Sequence, residues 1–392
     1  MSDERLPRAR IPVATYRLQF NRQFTFADAQ EILPYLNELG ISDIYASSYV
    51  AAMKGSLHGY DIVDPNVLNN EIGTEEAYLE LVGELRRLGM GQILDFVPNH
   101  MCIESTRNRW WMDVLENGPT SPYAHFFDIN WQPVKKELTN KVLLPFLADQ
   151  YGSVLEKGDL RLGFEEGAFF VSYYDARFPI EPGSYLQILR HQLETVQSLP
   201  PDAAPLLELM SIITALQHLP TTTERNPEKR AERYREKEIV KKRLRQLCGD
   251  SPEIAALIEE KVGLFNGAKG DPRSFDLLDR LLGDQVYRLS YWRVATDEIN
   301  YRRFFDINGL SAIRMEDTDV FRETHVLLFR LIRDQCVTGL RIDHVDGLYD
   351  PSSYLHRLQK SCFIQLRLNE LATEKRVDLE AVAERFGGEY DL

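Results

Sequence analysis

Short apolar runs and helical patterns alternate through the first hundred residues. Residues 12–18 (PVATYRL), 41–47 (ISDIYAS) and 92–97 (QILDFV) read as strands. Between them, 25–39 sets Phe26, Ala29, Ile32, Leu33, Leu36 and Leu39 at helical spacing, with Gly40 placed as a C-cap. A second helix, 74–88, opens on Thr74 as N-cap with Glu75 and Glu76 in its first turn. Strand, helix and strand repeated at this spacing predict crossover connections and a parallel sheet. The longer connections follow the strand C-termini, where a (β/α)8 barrel builds its site. Three strands alone do not separate a barrel from a doubly wound sheet.

The middle of the chain breaks the pattern. Residues 101–178 mix aromatics, turns and short apolar runs, and 184–266 reads as helical, with a charge-dense stretch at 224–245 (ERNPEKRAERYREKEIVKKRLR). Its mixed signs predict a solvated helical arm rather than a nucleic-acid patch. Barrel-like patterning resumes with a helix over 318–335, capped by Thr318, and another strand in 337–345 (VTGLRIDHV). The expected organisation is strands one to three in 1–100, an inserted subdomain in 101–285, and a return to the barrel in 286–392.

Composition narrows the function classes. Sixty acidic against 46 basic residues leave a formal charge of −14, which disfavours nucleic acid and anionic membrane as partners. Cys102, Cys248, Cys336 and Cys362 are far apart without a CxxC pair, arguing against a zinc module or disulfide framework and for a reducing, cytoplasmic setting. The first residues, MSDERLPRAR, lack an apolar signal region, and no run of about 18 apolar residues occurs.

Two strand ends carry ionisable groups where an apolar run becomes a loop: Asp95-Phe96-Val97-Pro98-Asn99-His100 and Gly339-Leu340-Arg341-Ile342-Asp343-His344. A charge buried in a strand is costly unless it is paired or used. Arg341 and Asp343 are two residues apart, so on a strand they share a face. A guanidinium there would keep Asp343 ionised, as a nucleophile requires. The plain alternative is an Arg–Asp pair that only stabilises its strand.

Taken together, these segments resemble the first and second signature regions of the alpha-amylase superfamily (glycoside hydrolase family 13), and HGYDIVD at 58–64 resembles its glucose-stacking Tyr-Asp loop. ATYRLQF at 14–20, WWMDVLENGPTSPYAHFFDINW at 110–131 and YRLSYWRVATDEINYRRFFDINGLSAIRME at 287–316 are similar to the maltooligosyltrehalose synthase family within it. The resemblance extends from residue 12 to about 360. It implies a (β/α)8 TIM-barrel type fold, here incomplete, with about the first half of the barrel and a large, mostly helical insertion after the third strand. It implies intramolecular transglucosylation of a maltooligosaccharide or α-1,4-glucan, turning the reducing-end α-1,4 linkage into α-1,1, with no metal and no organic cofactor. Other glucan hydrolases or transglycosylases of the superfamily, and a non-catalytic glucan-binding fragment, are the competing readings.

Carried over by position, Asp343 corresponds to the nucleophile and Arg341 to its ionising partner. Asp95, Asn99, His100 and His344 correspond to residues that hold the sugar. Tyr60 would stack on the ring, with His58 and Asp61 shaping its loop. The aromatics of 110–131 and 287–305 would wall a water-free acceptor site, with subdomain core the favoured alternative for any single one. A retaining mechanism also needs an acid–base carboxyl about 5–5.5 Å from the nucleophile. The family's Val-Glu-Lys segment on the next strand is not found; in 362–370 (CFIQLRLNE) only Glu370 offers a carboxylate, either on a fifth strand or within a helix. The later His-Asp region is also missing. The sequence reading therefore expects a truncated barrel with an unpaired sheet edge, a complementary C-terminal fragment as partner, and no mutase activity in this chain alone.

Overall fold

The structure is a computed structural model that describes residues 10–193, 200 and 202–375, with side chains as far as residue 368. The chain divides into two compact units, one formed by 1–107 with 309–392 and the other by 108–308.

The first unit is built on a four-stranded parallel sheet in which Thr15–Leu18, Asp43–Ala46, Gly91–Phe96 and Gly339–Ile342 pair in that order. This is the order in which consecutive strands of a (β/α)8 barrel line up, and it accounts for about half of one. The first and fourth strands pair on one side only among the described residues. Helices Phe26–Glu38 and Glu75–Arg87 connect the strands. Thr25 caps the first reciprocally with Asp28, and Thr74 accepts from Ala77 N–H at the second. Their apolar faces meet an aromatic cluster of Phe20, Phe26, Tyr49 and Tyr78, with the two tyrosine hydroxyls 2.9 Å apart. Two antiparallel pairs extend the connections beyond the second and third strands: Val50–Ala52 with Ile62–Leu68, and His100–Cys102 with Leu310–Ala312.

The second unit holds a parallel pair, Val142–Leu147 with Tyr287–Tyr291, and an antiparallel sheet of Leu160–Glu165, Ala168–Tyr173 and Ala176–Pro179. Helices Ala204–Gln217, Pro227–Asp250 and Pro252–Phe265 supply its helical part.

Three expectations are corrected, and two readings that the sequence left open are decided. The return to the first unit comes at Gly309 rather than 286, because Tyr287–Tyr291 pairs with Val142–Leu147 inside the insertion. The helix expected over 318–335 is capped by Asp317, whose carboxylate accepts from Asp319 and Val320 N–H, and it breaks at His325 into Thr318–Thr324 and Val326–Arg333. The charged arm is not wholly solvated: Arg233 and Lys237 are buried, paired with Glu181 and Glu116. Trp111, Phe127 and Tyr301 pack edge to face as core of the second unit rather than standing as acceptor walls. Finally, 362–370 belongs to a helix, Pro351–Lys375, and forms no fifth strand. The side chain of Glu370 and the tail 378–392 lie outside the described residues.

Candidate active site

Strand register assembles the site. Arg341 stands directly opposite Asp95 across the third and fourth strands, and Arg17 directly opposite Tyr45 across the first and second. Tyr45 pairs with Ile93, two residues before Asp95, so alternation brings all four side chains to the same face.

Asp95 is the centre of this row, and its side chain has no exposed surface. Its Oδ2 accepts from the hydroxyls of Tyr45 and Tyr60, each at 2.7 Å, and its Oδ1 accepts from Arg341 Nη1 at 2.9 Å. Three donors, one of them charged, offset the burial of the carboxylate. The same Arg341 Nη1 donates to Asp343, so one guanidinium bridges two carboxylates. Partial burial works against the charge of Arg341, but the hydrogen bonds to Asp95 and Asp343 outweigh it and hold the group above its ordinary value. Asp343 N–H donates to Phe96 O at 2.8 Å, continuing the ladder one residue beyond the strand. Its side chain is 19% exposed, so unlike Asp95 it can be reached. A cation would find its place between these carboxylates already taken by Arg341.

Tyr60 arrives from the loop after the strand Val50–Ala52. Gly59 makes that approach possible: its φ is +78°, and a Cβ there would lie 2.7 Å from Ser48 O. Burial, then the hydrogen bond given to Asp95, pushes the Tyr60 phenol up to about 12, while Arg17 pulls the other way. His100 Nε2 lies 3.2 Å from Tyr60 O and Asn99 Nδ2 lies 3.4 Å from His100 Nδ1, which fits a neutral ring donating through Nε2. Burial depresses His100 to about 4, with His344 adding to the effect. His344 follows the nucleophile candidate in a left-handed conformation (φ 47°), and a Cβ on Gly347 would come within 2.5 Å of its ring and 2.7 Å of Asn99 Oδ1. Gly347 is thus the slot into which that ring fits.

An alpha-amylase catalytic-domain family model matches residues 28–159. A Mycobacterium tuberculosis protein named as a maltooligosyl trehalose synthase is 30% identical over 358 residues, covering 89% of this chain and 33% of its own length. The solved maltooligosyltrehalose synthase of Arthrobacter ramosus matches with a TM-score of 0.61 at 30% identity, covering 90% of this chain and 33% of that one. Over about nine-tenths of its length the chain is similar to maltooligosyltrehalose synthases, and its first part to the alpha-amylase catalytic domain. An intracellular maltogenic amylase of Bacillus subtilis shares 36% identity over only 102 residues, 26% of this chain and 16% of that protein, so the likeness to the synthases is the more extensive. The chain spans about a third of the length of these synthases.

Within this synthase-like site, hydrogen bonds link Asp343, Arg341, Asp95, Tyr60, His100 and Asn99 into one continuous group. His344 adjoins it through the Gly347 slot. His58 stands at the rim, mostly exposed: its Nδ1 accepts from Tyr60 N–H at 3.1 Å and its Nε2 lies 3.9 Å from Asp61. Asp95, with its oxygens engaged and no exposed side-chain surface, anchors the cluster. Arg17 and Tyr45 were missed by sequence reasoning. Their signal was present as polar side chains at alternating positions of apolar strands, and only the parallel register turns that signal into a contact.

Proposed function

We propose that this chain supplies the donor half of a maltooligosyltrehalose synthase: it binds an α-1,4-glucan and takes a glucosyl unit onto Asp343. The observation that supports this reading is the bridging guanidinium. Arg341 is shared between a sealed carboxylate, Asp95, and a reachable one, Asp343, which gives the reachable one a fixed counter-ion and aims it. Asp343 attacks carbon one, the glycosidic bond breaks toward the departing sugar, and a glucosyl ester forms. The departing glucose then returns its anomeric hydroxyl to the ester, giving the α-1,1 linkage. Water held off during that interval separates transfer from hydrolysis.

The departing oxygen must receive a proton, and we assign that acid to a carboxyl group outside the described residues, brought by a complementary C-terminal polypeptide. Trehalose formation in the cytoplasm is the corresponding biological role, in keeping with four cysteines that are all free.

A 5-fluoro-maltosyl fluoride tests the nucleophile without the acid. The carbon–fluorine bond breaks as the bond to Asp343 Oδ forms, and fluoride leaves unprotonated. Peptide mass spectrometry is expected to find the sugar on Asp343. A label on another carboxylate, or no label after prolonged incubation, overturns the reading.

A further inference from the structure

Tyr60 is the one phenol of the cluster that comes from a loop, so its placement needs explaining. Its backbone carbonyl faces His100 Nε2, while its hydroxyl receives Arg17 Nη2 at 2.9 Å and gives its proton to Asp95 at 2.7 Å. A phenol has one proton to donate. With Arg17 occupying the acceptor side of the oxygen, that proton is turned toward Asp95. Arg17 also lies over the Tyr45 ring, 5.4 Å from its centroid, which fixes the guanidinium itself. Arg17 and Tyr45 lie opposite each other in the register, so this brace belongs to the sheet and not to the loop.

We propose that Arg17 is a positioning residue: its guanidinium holds the Tyr60 hydroxyl on Asp95 and so fixes the plane of the Tyr60 ring. The inference rests on, and deepens, the reading of Tyr60 as the residue that stacks on glucose. The charged and titratable groups around Tyr60 are Arg17 and Tyr45 from the first two strands, Asp95 and Arg341 from the next two, His100 from the short strand His100–Cys102, and His58 and Asp61 from its own loop.

The experiment places 3-fluorotyrosine at position 60 of the full chain and follows its titration by fluorine NMR, with Arg17→Met and Arg17→Lys as variants. Burial and the bond to Asp95 raise this phenol, whereas Arg17 lowers it. If Arg17 positions the ring, Arg17→Met releases the hydroxyl from Asp95 and the acid dissociation constant rises at least about tenfold, toward that of a free tyrosine. Arg17→Lys, which keeps a cationic donor, is expected to restore it to within about threefold. If the ring stays in place without Arg17, the lost cation moves the titration the opposite way. That outcome, or no change, overturns the proposal. The titration needs no sugar, so it stands apart from the functional reading. A second arm measures maltopentaose affinity by calorimetry. Arg17→Met and Tyr60→Phe are each expected to weaken binding about tenfold, the double variant no further, since they act as one unit. Additive losses overturn the positioning role, whereas a wild-type chain that binds no maltopentaose overturns the stacking reading and leaves the titration to decide on Arg17.

Discussion

Asp95 and Glu116 are both buried carboxylates, and they are buried differently. Glu116, in the helix Arg109–Asn117 of the second unit, is paired to Lys237 at 2.6 Å and to Lys241. Lys237 is itself 2% exposed and also meets Glu238 at 2.8 Å. Burial alone would raise the Glu116 carboxyl, but Lys241 and Lys237 outweigh it and hold it below its ordinary value. Glu238 is exposed, so this cation too reaches a carboxylate at the surface. Around Asp95 the cation is half-exposed and extends to a second, reachable carboxylate. A buried charge pair is therefore weak evidence of function by itself. What separates the two places is the cation itself: Arg341 is half-exposed beside its sealed carboxylate, whereas Lys237 is sealed together with Glu116.

The largest effect that sharpens this contrast is expected at the reachable end. Asp343→Asn should lower the rate of covalent labelling by at least about a thousandfold, read by mass spectrometry, because an amide is a poor nucleophile at carbon one. Its urea midpoint should move little, since the side chain is not sealed. Glu116→Ala should do the reverse. Leaving Lys237 buried and short of its partner is expected to cost about 3–5 kcal/mol in urea unfolding.

A third prediction concerns acid. His325 is fully buried among Phe96, Phe321 and Phe329, and burial depresses it to about 3. The unfolded chain takes up this proton near pH 6.5 and the folded one does not. The contribution is therefore complete above about pH 6.5 and is lost progressively as the pH falls toward about 3. His325→Phe should flatten the pH dependence of the unfolding free energy across that window. A slope equal to that of the wild type would remove His325 from the account. The smallest effect belongs to Tyr45→Phe, which deletes one of three donors to Asp95 and is expected to cost about 1–2 kcal/mol in urea unfolding.

Much of this was legible in the sequence, because the signals were local. Thr74 caps the helix it was expected to cap, and Asp95, Arg341 and Asp343 fall at strand ends with the parity that unites them. The rest depended on long-range pairing. Lys237 and Arg233 sit in a stretch whose mixed charges read as solvated, and only distant Glu116 and Glu181 explain their burial. The helix break at His325 has no glycine or proline to announce it; the ring turns inward, its Nδ1 2.7 Å from Phe321 O and its Nε2 3.1 Å from Tyr354 Oη. Arg17 and Tyr45 needed the alignment of neighbouring strands before their chemistry could be read.

That alignment has a consequence for quality control of the molecule. Were the final strand to slide by one position against its neighbour, Arg341 would project to the opposite side of the sheet and Asp343 would lose its counter-ion. The bridge between the two carboxylates is thus a by-product of correct assembly, and a misaligned copy lacks it.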